Sequence, residues 1–517
     1  MKEKGKHSLL RSTAGLALAG IIAKVVGAFY RIPLTNILGA EGIGLYQTFF
    51  PVYALFLTLT SAALPTVVAR YVAYADALKV DIPATRAAAK RTAVVSGLIG
   101  LAFTAALAYP VAALQSRPSV WKGYLVVAPA VLAVTVSTYY KGYFIGKGRM
   151  TANALSQTAE QAVKLAVGLT AALALSKYGA TAAVYGALFA VMVSEIAGLV
   201  FMAAAYRKDT GKENIYRVRV DKTIYYDIIK NILPILAAAL IVPVSSFLDS
   251  FVIVRMLTAG GASLADATSD YGIYSGAVGT VINLPVVIAV SLAVAVLPKI
   301  SSGVAKGEYV RVNEATGLTL SACLAVAVPC FFAILVFAPD VVSALYPGFS
   351  ATDAARTSDI LRLQAFNVIA ASAVQLLCGI LQALGSGRTA AAYLAFGVAV
   401  KTVIQIFLLP YIGIKAAPVA QIVMYTLAAA LSVVKYLELV GKNPQLVQSG
   451  SKILLCGVIM SVCIRAVALT VGNMYVRLAV GVATGVTVYF ALLALTGLLN
   501  KKGLATLFRR GKGDCDD

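Results

Sequence analysis

Apolar runs near the ~20 residues that a helix needs to cross a bilayer recur at 12–35, 44–69, 92–114, 123–145, 154–175, 180–205, 231–256, 272–298, 315–338, 359–384, 389–410, 415–437, 452–471 and 477–499. Short polar connections separate them. The pattern predicts an all-α polytopic membrane protein with about fourteen transmembrane helices. Several spans carry internal breakers: Pro33, Pro51 and Pro65 in the first two, Pro234 and Pro243 in the seventh, and Pro285 in the eighth. Freed backbone groups at membrane depth are tolerated only beside protein or water, so spans 1, 2, 7 and 8 are expected to line a central cavity.

An internal repeat supports that choice. Gly44-Leu45-Tyr46, followed by Ala63-Leu64-Pro65, recurs as Gly272-Ile273-Tyr274 followed by Val296-Leu297-Pro298. Gly142, Gly148-Arg149-Met150-Thr151-Ala152 and Lys164 recur as Gly379, Gly387-Arg388-Thr389-Ala390 and Lys401. The shift of about 235 residues equals an even number of spans, so the halves run in the same orientation around an axis along the membrane normal. The expected organisation is an N-lobe over 1–230 (spans 1–6 and a basic linker), a C-lobe over 231–440 (spans 7–12), and an appended pair with a tail over 441–517.

Composition agrees. The 517-residue chain is 60% hydrophobic and 13% charged, against the ~25% charged share of a soluble domain. Its net charge of +22 would suggest nucleic acid in a soluble protein. Here about thirty of the 44 Lys and Arg fall in alternate connections, at 2–11, 70–91, 147–149, 207–230, 299–311, 388, 435–452 and 501–512, which is the positive-inside signature. Both termini are therefore expected in the cytoplasm, and Asp340, Asp353, Asp359 and Arg356 outside. The basic start followed by 14–23 superficially resembles a secretory signal, but Lys24 and Arg31 interrupt it, and it is read as a retained first helix. The segment 206–230, basic with interleaved tyrosines, suits an anionic leaflet better than nucleic acid.

Lys24 and Arg31 lie seven residues apart in the first span, on one helix face and about 10 Å from each other along the axis. A charge at bilayer depth costs about 2.5–3.5 kcal/mol, so both should face a protein-lined, watered interior and mark a site for an anion. Asn36 on the same stretch and Arg255 near the outer end of span 7 are counted with them as candidate substrate contacts. Asp249 is a lone carboxylate in span 7. Lys401 and Gln405, spaced i, i+4 on span 11, form a polar pair that can ligate an ion or, through the lysine, replace it. These three are the candidate coupling or gating residues. Glu160 and Lys164, also i, i+4, read as a structural ion pair.

No catalytic constellation is visible. The six cysteines form no CxxC pair, His7 is the lone histidine, and there is no GxxxxGK[ST] loop or HExxH. Metal, cofactor and enzyme chemistry are therefore not expected. The chain reads as a carrier.

The stretches Lys24–Gly39, Glu41–Gln47 and Pro51–Leu59 resemble the stage V sporulation protein B type of polysaccharide-export protein. That group is close to the MurJ lipid II flippases, within the multidrug/oligosaccharidyl-lipid/polysaccharide exporter superfamily. The resemblance implies two parallel six-helix lobes around a V-shaped central cavity, with two extra C-terminal helices forming a groove for a polyprenyl tail. It implies a bacterial plasma-membrane protein that flips an undecaprenyl-diphosphate-linked saccharide, such as lipid II, to the outer leaflet by alternating access, and cell-wall synthesis proteins as possible partners. It also casts Lys24 and Arg31 as the cations that hold diphosphate. Further arginines implied on spans 2 and 8 are replaced by Phe50 or a neighbour and by the Ser275-Gly276 region. Asp249 matches an acidic position used for sodium in some relatives, but its span 11 partners are Lys401 and Gln405, so the lysine ammonium is expected to occupy the ion's place. The competing readings are a multidrug/cation antiporter and a non-transporting scaffold for cell-wall synthesis.

Overall fold

The computed structural model describes residues 2–80, 82–211, 220–294 and 297–498, with side chains from Gly27 onward except at 28, 292–294, 298 and 445. Among the described residues the chain is helical throughout, with no strand. The helices are α1 (Lys2–Ser61), α2 (Leu64–Leu78), α3 (Pro83–Ala106), α4 (Ala108–Leu114), α5 (Lys122–Gly146), α6 (Thr151–Ser176), α7 (Ala180–Thr210), α8 (Lys222–Ala239), α9 (Ile241–Ala259) and α10 (Leu264–Gly272). They continue as α11 (Gly279–Val294), α12 (Leu297–Ala305), α13 (Tyr309–Leu345), α14 (Ala351–Gln364), α15 (Asn367–Ala383), α16 (Gly387–Ile412), α17 (Ala416–Leu439), α18 (Pro444–Thr470) and α19 (Met474–Leu495).

Ten helical stretches are long and apolar enough to cross a membrane, and counting the bent pairs α3/α4 and α14/α15 as one span each gives twelve. Two stretches, Phe29–Leu78 and Gly387–Leu439, run 50 and 53 residues. Each exceeds twice the ~20 residues of one crossing, and the expectation of about fourteen spans rests on reading each of these as two.

The breaks follow local chemistry. α1 is two helices joined at Gly39, whose φ of 67° and ψ of −176° belong to a region open essentially to glycine alone. Pro65 sits in the first turn of α2, where its missing N–H costs nothing, so the second hydrophobic run breaks between Ser61 and Leu64. Likewise Pro243 falls in the first turn of α9, and the seventh run starts afresh at Ile241. A π-helical turn, Ile273–Val278, separates α10 from α11.

The chain divides into two compact units, residues 1–277 with 405–414, and residues 278–404 with 415–517. In the first unit the part of α1 after Gly39 crosses α10 without side chains between them. A Cβ on Gly44 would fall on the Thr268 carbonyl, and one on Gly272 would fall on the backbone of Gly44 and within 2.6 Å of the Ala40 carbonyl oxygen. These two glycines open the repeated Gly-x-Tyr motif. Below the crossing, Gln47 Nε2 donates to the Ser275 carbonyl at 2.8 Å. Around it Leu34, Ile43, Phe49, Tyr124, Val184 and Leu188 form one apolar core, and α2, α3 and α5 share a second with Tyr139, Tyr140, Met202 and Tyr206.

The glycine of the second repeated motif lies beside a Leu-Pro pair in each unit, through different atoms. Gly142 on α5 lies against Pro65, with a Cβ there 2.7 Å from the Pro65 carbonyl oxygen. Gly379 on α15 lies against Leu297, at 3.1 Å from Cδ1. Pro65 is the second residue of the Leu-Pro pair at 64–65 and Leu297 the first of that at 297–298, so the two glycines meet different members of the repeated pair.

In the second unit α18 and α19 pack on α13 through Phe337, Ile453, Cys456, Met460, Ile464 and Tyr489. Asp340 lies within a helix and not in the connection that follows it. α13 runs on to Leu345, and the carboxylate is held there by Arg477 of α19, which donates Nε to Oδ2 at 2.9 Å and Nη2 to Oδ1. The bidentate pair neutralises the carboxylate and fixes α19 to α13 there.

Because the α1–α10 crossing has no spare volume, Gly44→Ala is expected to destabilise the protein by about 1–3 kcal/mol. The check is a lowered thermal midpoint of the purified protein in detergent.

Candidate substrate and coupling site

Seven residues were singled out from the sequence. Lys24 lies on the helical backbone of α1, but its side chain is outside the described ones. Arg31 is partly buried on α1. Its guanidinium carbon stands 5.3 Å from the centroid of the Phe50 ring, and Phe50 in turn stacks with Tyr46 and meets Tyr53 edge-on, each at 6.0 Å. Positions 46, 50 and 53 share one helix face, so α1 after Gly39 presents an aromatic ladder to the arginine that precedes Gly39. Among the described residues no carboxylate lies within ion-pair distance of Arg31.

Asn36 is turned back on its own helix, with Nδ2 donating to the Ile32 carbonyl at 3.2 Å. Arg255 is exposed near the end of α9 and makes no side-chain hydrogen bond or ion pair among the described residues, as a snorkelling arginine would. Neither is gathered with Arg31 by a direct contact.

Asp249 is buried on α9 with 8% of its surface exposed. Lys401 and Gln405 on α16 are 2% and 0% exposed, so the i, i+4 pair is interior. Both amide atoms of Gln405 are buried with no hydrogen-bond partner among the described residues. Asp249 and Gln405 fall in the same compact unit, where α9 is tied to the 405–414 segment by Gly260, on which a Cβ would stand 2.7 Å from the Pro410 carbonyl oxygen.

Phe50 and Gly276 belong to the two regions where the resemblance implied further arginines. Phe50 forms the floor under Arg31. Gly276 lies so close to α1 that a Cβ would meet Ile43 Cγ1 at 2.7 Å, which leaves no room for an arginine there.

The Glu160–Lys164 pair expected from spacing is not formed. Glu160 accepts from Lys141 Nζ at 2.9 Å and from Ser156 Oγ at 2.8 Å, while Gly198 of α7 lies against its carboxylate. The α5 lysine wins because it approaches across the interface, where the low dielectric strengthens the pair, whereas Lys164 lies one turn further along the surface of the same helix.

Sequence reading missed a buried polar network beside Asp249. Gln115 Nε2 donates to the Thr48 carbonyl and to Ser250 Oγ, each at 3.0 Å, and accepts from the Tyr124 hydroxyl. Two residues on, Arg117 donates to Thr268 Oγ1 at 2.8 Å and pairs with Glu41 at 3.5 Å. In sequence, Gln115 and Arg117 look like an ordinary polar connection. Only their landing on α1, α9 and α10 reveals them as a lock on those helices.

Residues 9–304 match the family described as "Polysaccharide biosynthesis protein". The chain belongs to that family. Among polysaccharide biosynthesis proteins and their kin, it is 27% identical over 514 residues to "Stage V sporulation protein B" of Bacillus subtilis (strain 168), covering 96% of this chain and 97% of that one. It is 24% identical over 423 residues to "Lipid II flippase MurJ" of the same strain, covering 77% of each. The solved structure "Lipid II flippase MurJ, inward closed conformation" superposes with a TM-score of 0.70 at 14% identity, over 93% of this chain and 98% of that one, and so shares its fold. This family member is therefore a multi-pass helical membrane protein of MurJ-like architecture, as the first fifty residues had implied.

In this polysaccharide biosynthesis protein, Lys141→Met should strand the Glu160 carboxylate and cost about 3 kcal/mol. Adding Glu160→Gln is expected to recover most of that loss in thermal unfolding of the detergent-solubilised protein.

Proposed function

We propose that this protein is a flippase that carries an undecaprenyl-diphosphate-linked saccharide, specifically the peptidoglycan precursor lipid II, from the inner to the outer leaflet of the bacterial plasma membrane. The observation that carries the reading is Arg31, a cation inside the first span that rests on an aromatic ring with no carboxylate beside it among the described residues. An intramembrane charge is expensive and is kept for function; one left without a fixed counter-ion is available to an anion. The cation–π contact to Phe50 offsets part of its desolvation while leaving the N–H donors free to grip phosphate.

In this reading Lys24 and Arg31 hold the diphosphate, with Asn36 and Arg255 as outer contacts along its path, and the polyprenyl chain stays in lipid or along α18 and α19. The lobes 1–230 and 231–440 rock about the bound headgroup, residues 441–517 are the appended pair and tail, and both termini are cytoplasmic. The names of the relatives support a transporter over an enzyme. Inside-negative potential favours outward movement of an anion by roughly 2.3 kcal/mol per charge per 100 mV, so the drive has the right sign. Asp249, Lys401 and Gln405 are the coupling group, in which the lysine supplies the positive charge that a sodium ion brings elsewhere.

The deciding experiment depletes the protein in cells and assays lipid II on the outer leaflet. Wild type restores exposure; Lys24→Ala/Arg31→Ala lowers it at least about tenfold, a loss of about 1.4 kcal/mol or more. Normal exposure in the double variant would mark a scaffold instead. Lys401→Ala is expected to slow transport and make the residual rate rise with sodium; unchanged transport with no sodium response would remove Lys401 from the coupling group.

A further inference from the structure

The first unit carries charges at membrane depth that the diphosphate reading does not use, and they lie between α5, α6 and α7. Asn153, Ser156, Glu160, Lys164 and Gly168 recur at helical spacing and share one face of α6. α7 packs on that face in antiparallel register. A Cβ on Gly186 would stand 2.8 Å from the Ala171 carbonyl oxygen, and further along α7 one on Gly198 would fall on the Glu160 carboxylate. The same register brings Glu195, about one turn before Gly198, level with Lys164. Both stand at the midpoints of helices long and apolar enough to cross a membrane.

The charges follow that geometry. Glu195 interacts most strongly with Lys164, then with Glu160 and with Lys141 of α5, yet it makes no side-chain hydrogen bond or ion pair among the described residues. Lys164 makes none either. The other two charges are committed to each other, with Lys141 Nζ donating to Glu160 at 2.9 Å. From α1, the Tyr53 hydroxyl interacts with both carboxylates, and more strongly with Glu195. Tyr53 is 5% exposed, and its hydroxyl has no hydrogen-bond partner among the described residues. Tyr53, Lys141, Glu160 and Lys164 are thus the titratable groups that face Glu195 from α1, α5 and α6, the elements packed on α7.

A carboxylate in the middle of a span is expensive, and proton relays in carriers are built from such groups. Two states are open to Glu195. Ionised, it opposes the like charge of Glu160 and draws on the Lys164 ammonium. Protonated, it loses both interactions and becomes a donor, for which the unpartnered Tyr53 oxygen is an acceptor.

We propose that Glu195 is a proton-binding residue in the membrane interior of the first unit. The site is separate from Lys24, Arg31 and the Asp249 group, and it stands whether or not the flippase reading holds. On release the carboxyl O–H bond breaks, the electron pair stays on the carboxylate and the proton passes to water. Lys164 then compensates the charge left behind. On uptake the same bond re-forms and the acid donates to Tyr53.

The test records infrared difference spectra of the full chain in phosphatidylcholine nanodiscs as pH is cycled. Wild type is expected to show a carboxylic-acid C=O band that appears and disappears reversibly. Glu195→Gln should remove that band and Glu160→Gln should retain it. Glu195→Asp, which keeps the carboxyl, should keep a titrating band at a shifted frequency, so that loss of the group is told apart from loss of the fold. Lys164→Met should move the titration to higher pH by about one unit or more, about a tenfold tighter hold on the proton, because the cation that favours the carboxylate is gone. Coincident spectra for wild type and Glu195→Gln, or a titration unmoved by Lys164→Met, overturn the proposal.

Discussion

Two helices cross at Gly44 and Gly272 with no side chain between them, and much of the first unit depends on that contact. In a bilayer the hydrophobic effect does not drive helices together, because lipid tails are as apolar as leucine; association rests on close van der Waals approach and interhelical hydrogen bonds. The crossing supplies the first. It also brings α1 near enough to the π-helical turn for Gln47 to bond the Ser275 carbonyl, and Tyr271 near enough to donate to the Gln47 carbonyl at 3.3 Å. Gln115, Tyr124 and Arg117 then tie α1, α9 and α10 from the connection that precedes α5.

The same constraint bears on one place where the resemblance implied a further arginine. With α1 packed against Gly276, an arginine side chain has no volume to enter there. Phe50 lies under the Arg31 guanidinium as a polarisable floor, where a second cation would repel it.

The candidate site is assembled from contacts of very different sequence separation. Arg31 and Phe50 are near neighbours across one helix break, whereas Gln405 and the Gly260–Pro410 approach join segments about 150 residues apart in the chain. Burial of Lys401 and Gln405 at 2% and 0% exposure turns an i, i+4 polar pair, unremarkable on a surface helix, into an interior group whose charge must be compensated by its surroundings.

The membrane-spanning class and the rough span boundaries were legible from the chain alone, because hydropathy over twenty residues and glycine-proline punctuation are local properties that lipid enforces strongly. The repeated glycines announced a motif. Only the fold showed that Gly44 and Gly272 touch each other. Partner choice was decided in three dimensions. Glu160 passes over Lys164 for Lys141, Asp340 finds Arg477 across 137 residues, and Gln115 and Arg117 become a lock instead of a connection. A side chain's partner depends on distance and dielectric across an interface, and neither quantity is written in the spacing of residues along one helix.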